Sequence, residues 1–202
     1  MPEALKKIIN TISLLPGIGE KSATKLAFFL LNTNLNYIEE FKKNLNDLKH
    51  KVSKCSICGA LTDIEDDICK ICSSKNREQN TICIIEEYLD LLTIEQTGGY
   101  SGVYHVLGGA ISPINGVFVA DLNFKKLWER ISESNKRVEL IIATNPNIEG
   151  EATTMYIKEE IERLGLKYKV NMTRLSRGLS SGYIEYADNI TILNAIKERK
   201  EI

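Results

Sequence analysis

Apolar residues recur at helical spacing near the start of the chain, with Leu5, Ile8, Ile9, Ile12 and Leu15 on one stripe and Ala23, Leu26, Ala27, Leu30 and Leu31 on a second. Pro16-Gly17-Ile18-Gly19 separates the two runs. A third amphipathic stretch, from Tyr37 to Val52, sets Tyr37, Phe41, Leu45 and Leu48 against a face of Lys and Asn, so residues 1–52 predict a small helical module. Residues 53–79 are poor in large apolar side chains and predict no hydrophobic core of their own. From Thr81 the pattern alternates. Strands are expected at Thr81–Glu86, Val103–Leu107, Val138–Ala143 and Lys167–Met172, and helices at Tyr88–Gln96, Leu122–Ser132 and Glu151–Leu164. Such alternation over 80–173 implies a mostly parallel sheet covered on both faces. A Gly- and Ser-rich loop and a helix at Ile190–Arg199 complete the tail, 174–202. The expected class is thus α/β, built from several modules.

Composition adds what the pattern leaves open. Hydrophobic residues make up 43% and charged residues 26%, a balance that excludes intrinsic disorder. There is no run of eighteen apolar residues and no secretory pattern at the N-terminus, so a cytoplasmic protein with no membrane partner is expected. With 26 Lys plus Arg against 27 Asp plus Glu, the net charge of −1 exerts no overall pull on nucleic acid, and any such contact has to be local.

Cytosolic thiols are kept reduced, which makes metal binding the first reading of the five cysteines. Cys55 and Cys58 form one close pair, Cys69 and Cys72 another, and ten residues separate them. Two such pairs, each on its own tight turn, bring four thiolates tetrahedrally onto one Zn²⁺ per chain. All four positions are then protein ligands, so the metal is structural rather than catalytic. Cys83 lies in an apolar strand without a partner at ligand spacing and reads as a core residue.

Around the first glycines the chain runs Leu14-Leu15-Pro16-Gly17-Ile18-Gly19-Glu20-Lys21-Ser22 between two helices. Gly17 and Gly19 permit a tight turn that exposes backbone N–H groups at the start of the second helix, where a phosphate can sit. Lys21 and Lys25, one turn apart, add charge beside it, giving the helix-hairpin-helix arrangement of sequence-independent DNA binders. The alternative is a plain turn with lysines on a solvated face. A nucleotide-binding phosphate loop is excluded, because Glu20 and Leu15 stand where that loop requires glycine.

Four acids fall near the carboxyl ends of expected strands: Glu86 and Asp90 after the first, Glu149 and Glu151 after the third. Carboxylates at that edge can hold Mg²⁺, repel DNA, bind a basic partner or favour the first turn of a helix.

In this order the parts resemble the bacterial RecR family over essentially the whole chain. The matching stretches are Leu15-Pro16-Gly17-Ile18-Gly19 with Lys21-Ser22-Ala23, the four cysteines, Ile94-Glu95-Gln96-Thr97-Gly98, Tyr104-His105-Val106-Leu107-Gly108-Gly109, Ala143-Thr144-Asn145-Pro146 through Glu149-Gly150-Glu151, Thr173-Arg174-Leu175, Arg177-Gly178 and Ile184 to Asp188. The resemblance implies a helix-hairpin-helix module, a four-cysteine zinc finger, a Toprim domain whose acids map to Glu86, Asp90, Glu149 and Glu151, and a Walker-B-like Ile184–Asp188. It further implies a homo-oligomer, a ring-shaped dimer or tetramer that encircles duplex, gapped or single-stranded DNA. Such a ring works with RecO and RecF at the nucleoid to load RecA in recombinational repair, without catalysis of its own. Three positions depart from the family pattern: Lys25 stands where Arg is usual, Ser180 where Pro is usual, and Gly116-Val117-Phe118-Val119 replaces Gly-Ile-Gly-Pro. The competing readings are a Mg²⁺-dependent Toprim nuclease or topoisomerase, and an adaptor whose acidic edge binds a basic partner without DNA.

Overall fold

The computed structural model describes residues 1–176 and 184–202, which form two compact units, Met1–Lys51 and Val52–Ile202. The Arg177-Gly178 pair and Ser180 lie outside the described residues.

Three helices make the first unit: α1 (Glu3–Ser13), α2 (Glu20–Asn32) and α3 (Leu35–His50). Ile9 and Ile12 of α1 pack on Ala23 and Ala27 of α2, with Leu5, Ile18 and Leu30 around them. The alanines let the two helices approach closely. Asn34 starts α3 by accepting from the Tyr37 N–H at 2.8 Å, and Lys49 and His50 complement its C-terminal dipole. The amphipathic pattern of α3 forms as expected, yet the helix buries none of its residues: Tyr37, Phe41, Leu45 and Leu48 remain 42%, 44%, 50% and 61% exposed.

In the second unit a short antiparallel hairpin, β1 (Val52–Lys54) with β2 (Leu61–Asp63), frames the first cysteine pair. The main chain order is then β3 (Glu78–Ile85), α4 (Tyr88–Gln96), β4 (Gly102–Val106), α5 (Phe124–Glu133), β5 (Val138–Ile142), α6 (Ile148–Arg163), β6 (Val170–Arg174), α7 (Asn189–Lys197) and β7 (Lys200–Glu201). The sheet runs β4-β3-β5-β6-β7, parallel except for β7, which pairs antiparallel with β6. Side chains alternate between its faces. Ile82, Ile84, Leu140 and Ile142 meet Leu127 and Ile131 of α5 and Ile157 and Ile161 of α6. Cys83, Ile85, Tyr104 and Ile141 meet Leu91 and Ile94 of α4, Ile192 and Ile196 of α7, and the cysteine cluster. The expected doubly covered parallel sheet is therefore present.

Three local differences have physical causes. β6 starts at Val170 rather than Lys167, because Gly165 at φ +67° ends α6 and the Lys169 N–H closes a turn onto the Leu166 carbonyl. β7 is two charged residues long and carries no apolar alternation to announce it. The Walker-B-like stretch is not a strand ending in an acid: Ile184–Tyr186 forms one 3₁₀ turn, and Asp188 caps α7 by accepting from the Ile190 and Thr191 N–H groups, each at 3.0 Å.

Candidate metal centre, hairpin and acidic edge

The Sγ atoms of Cys55, Cys58, Cys69 and Cys72 all lie within 4.8 Å of one another, and Cys58 and Cys69 are 3.6 Å apart. Sulfurs bound tetrahedrally to Zn²⁺ at about 2.3 Å are about 3.8 Å apart, whereas a disulfide needs about 2 Å. The spacing and the all-sulfur donor set therefore fit Zn²⁺. Local backbone builds this arrangement. Gly59 sits at φ +76°, and a Cβ there would come within 2.9 Å of the Val106 carbonyl oxygen, so glycine is needed both for the turn and for the close approach. The N–H groups of Ala60, Cys69 and Cys72 point at the sulfurs of Cys58, Cys55 and Cys69 at 3.4, 3.3 and 3.5 Å, an environment that favours thiolate. The Cys58–Cys69 bond pushes the Cys58 thiol up and holds Cys69 well below the ordinary thiol range, because the two compete for one proton. A divalent cation that displaces the protons removes that conflict.

The cluster also docks on the sheet. β4 pairs only with β3, and its far side is covered: the Val106 N–H donates to the Cys58 carbonyl at 2.8 Å, Asn123 donates to the Val106 carbonyl at 3.2 Å, and Arg130 donates to the Tyr104 carbonyl at 2.9 Å. Cys83 is buried in β3, as its pattern implies, and burial pushes its thiol up.

In the first unit, Gly17 at φ +77° and Gly19 at the N-cap of α2 form the turn between α1 and α2. No side chain caps α2, so its first N–H groups are presented outward, with Lys21 and Lys25 exposed on its first two turns. The structure thus places the four residues singled out there at one end of one helix.

The acids do gather at the carboxyl edge of the sheet, but in unlike states. Glu86, 6% exposed at the end of β3, accepts from the Asn145 N–H at 2.8 Å and from the Asn145 side chain. Burial raises its carboxyl, the two Asn145 bonds oppose this, and Glu87 and Glu149 raise it further. Asp90, also 6% exposed, accepts from the Glu87 N–H at 2.9 Å, tying the start of α4 back onto its own first turn. Burial, followed by the charges of Glu86, Glu87 and Glu185, pushes Asp90 up to about 6, with the Glu87 bond opposing. Glu149 and Glu151 occupy the first turn of α6, and Glu151 is paired with Arg174. Among the described residues, only the four cysteines bring three or more His, Cys, Asp or Glu ligand atoms together at metal-binding spacing.

Sequence reasoning overlooked Asn145, Glu87, Glu185 and Arg174 as parts of this edge. Asn145, Arg174 and Glu185 fall inside stretches that carry the resemblance, whereas Glu87 has no signal beyond its sign of charge.

Comparison with known proteins places these features together. The model described as RecR, helix-hairpin-helix matches residues 5–49, and the Toprim domain model matches residues 80–176. The chain is 45% identical to Recombination protein RecR of Streptococcus pneumoniae (strain CGSP14) and 46% identical to Recombination protein RecR of Streptococcus suis (strain 05ZYH33). Each alignment covers 100% of this chain and 98% of the relative.

Proposed function

The chain belongs to the RecR family of recombination proteins, and from that premise we propose that it is a DNA-binding mediator of recombinational repair. It acts as an oligomeric clamp that, with RecO and RecF, helps RecA load on single-stranded or gapped DNA at the nucleoid. The observation that carries this reading is the uncapped start of α2 beside Gly17 and Gly19, with Lys21 and Lys25 exposed along it. Outward N–H groups and two cations one turn apart suit a phosphate and read no base, in keeping with a protein that works on any sequence.

Support for an oligomer comes from α3, whose apolar stripe stays open to solvent in one chain and suits a second copy in a dimeric or tetrameric ring. In functional terms the hairpin module of 1–52 grips DNA, the finger of 53–79 holds one structural Zn²⁺, the Toprim domain of 80–173 offers its acidic edge to RecO or RecF, and 174–202 closes the sheet. The Toprim match is not itself a sign of catalysis. Glu151 shares its charge with Arg174 and Glu86 is tied to Asn145, which disfavours a Mg²⁺-dependent nuclease or topoisomerase and favours partner docking.

The test is affinity for duplex, gapped and single-stranded DNA across a salt series, with mass in solution recorded. Lys21→Ala with Lys25→Ala should weaken binding alike on every sequence and lower the salt slope by about one unit for each phosphate no longer neutralised. An unchanged slope in an intact oligomer would remove the hairpin as the DNA site.

A further inference from the structure

Four thiolates around one divalent cation leave two negative charges uncompensated, and a largely buried group of that charge needs positive charge or amide dipoles nearby. The three N–H···S contacts described above supply dipoles. One guanidinium is placed to supply charge. Arg130, in the last turn of α5, is half-buried and held by its 2.9 Å bond to the Tyr104 carbonyl on the outer side of β4. Two residues further along that strand, the Val106 N–H donates to the Cys58 carbonyl. Arg130 also lines a cleft of about 410 Å³ together with Ser56 and Ile57, which lie inside the first cysteine pair, and Gln79, whose side chain reaches the Cys72 carbonyl at 3.4 Å.

We propose that Arg130 is a positioning and charge-balancing residue of the four-cysteine centre, holding the negatively charged zinc–thiolate group against the outer edge of β4. The inference rests on the reading of the cysteines as a zinc site. A guanidinium is always charged, and its sign is the one that four thiolates around a divalent cation require. Lys126 shares the cleft but is exposed, so water screens its charge; Glu129 and Glu133, which also line it, have the wrong sign.

The experiment follows zinc leaving the full-length protein, read by a chromogenic chelator after addition of a thiol-modifying reagent, in wild type, Arg130→Lys, Arg130→Gln and Glu129→Gln. Gln keeps a donor for the Tyr104 carbonyl without the charge, and Lys keeps the charge without the planar fork. Release should be about tenfold faster in Arg130→Gln, the low end of what outer-shell partners of a metal contribute, and close to wild type in Arg130→Lys and Glu129→Gln. High salt should narrow the gap between wild type and Arg130→Gln, because screening weakens a charge effect and leaves a packing effect alone. Equal acceleration by Gln and Lys, or none by Gln, overturns the proposal while leaving the zinc site intact. If Arg130→Gln does not fold, a wild-type release rate indifferent to salt overturns it as well. Purified wild type without bound zinc defeats the metal reading itself, a separate outcome.

Discussion

Arg174 at the end of β6 grips Glu151 in the first turn of α6, with Nη1 at 2.8 Å from one carboxylate oxygen and Nη2 at 2.6 Å from the other. A two-pronged contact of this kind fixes the direction of α6 over the sheet and removes one negative charge from the acidic edge. The Arg174 side chain is 15% exposed and Glu151 44%, so the pair is partly screened and stabilises the fold by only about 1 kcal/mol. Glu151→Ala should lower the urea midpoint accordingly and leave DNA uncut with Mg²⁺, as should wild type. Mg²⁺-dependent cleavage by wild type that Glu151→Ala or Glu149→Ala abolishes would establish an enzyme instead.

Metal removal tests the cysteine centre. Cys58→Ser, or a strong chelator, should lower the melting temperature by about 10 °C or more, since the residues between β1 and β3 contribute little apolar packing of their own. Metal analysis should return about one zinc per chain. A chelated protein that melts where the untreated protein does contradicts the assignment.

Asp90 gives a pH dependence with a definite sign. Its carboxyl, pushed up to about 6 in the folded chain, titrates near 3.9 when unfolded, so the folded state binds the extra proton between those values. Stability from this group is present at low pH and is lost as pH rises through 6. Asp90→Asn keeps an acceptor for the Glu87 N–H and cannot ionise. It should be more stable than wild type above pH ~7 by on the order of 2 kcal/mol and lack the fall in stability that wild type shows from pH ~4 to ~6. Parallel pH profiles of the two urea midpoints would show that the buried carboxyl carries no such penalty.

The open stripe on α3 predicts assembly. Phe41→Glu should drive the mass in solution toward 22.7 kDa, that of a single chain, without loss of helical signal. DNA affinity should fall by about a hundredfold even with every lysine in place, because linked weak sites lose their avidity when separated. A wild type already monomeric in solution and on DNA removes this surface as an interface.

What the sequence revealed of this molecule was its periodic and local content. The stripes of α1 and α2, the alternating runs of β3 to β5 and the two cysteine pairs each encode their arrangement within a short window, where spacing alone decides which side chains meet. The links that set the character of the acidic edge are long-range. Asn145 reaches Glu86 across 59 positions and Arg174 reaches Glu151 across 23, and no period relates such pairs. Charge counting put four equal acids at this edge; the fold instead ties one to an amide, buries another as a helix cap and pairs a third with arginine. The α3 stripe shows the converse limit, since a sequence announces an apolar face without stating whether its own chain will cover it.

An outermost strand of a sheet usually offers a row of bare amides and carbonyls, on which a strand from another molecule can add. Here Cys58, Asn123 and Arg130 occupy the outward groups of Val106 and Tyr104 along β4. The cysteine knot and the α5 residues together therefore act as a stopper against strand-to-strand polymerisation. Opening the cysteine knot should bare the Val106 N–H first, so insoluble β-rich aggregates, rather than a soluble unfolded chain, are the expected result of treating the protein with a thiol-modifying reagent.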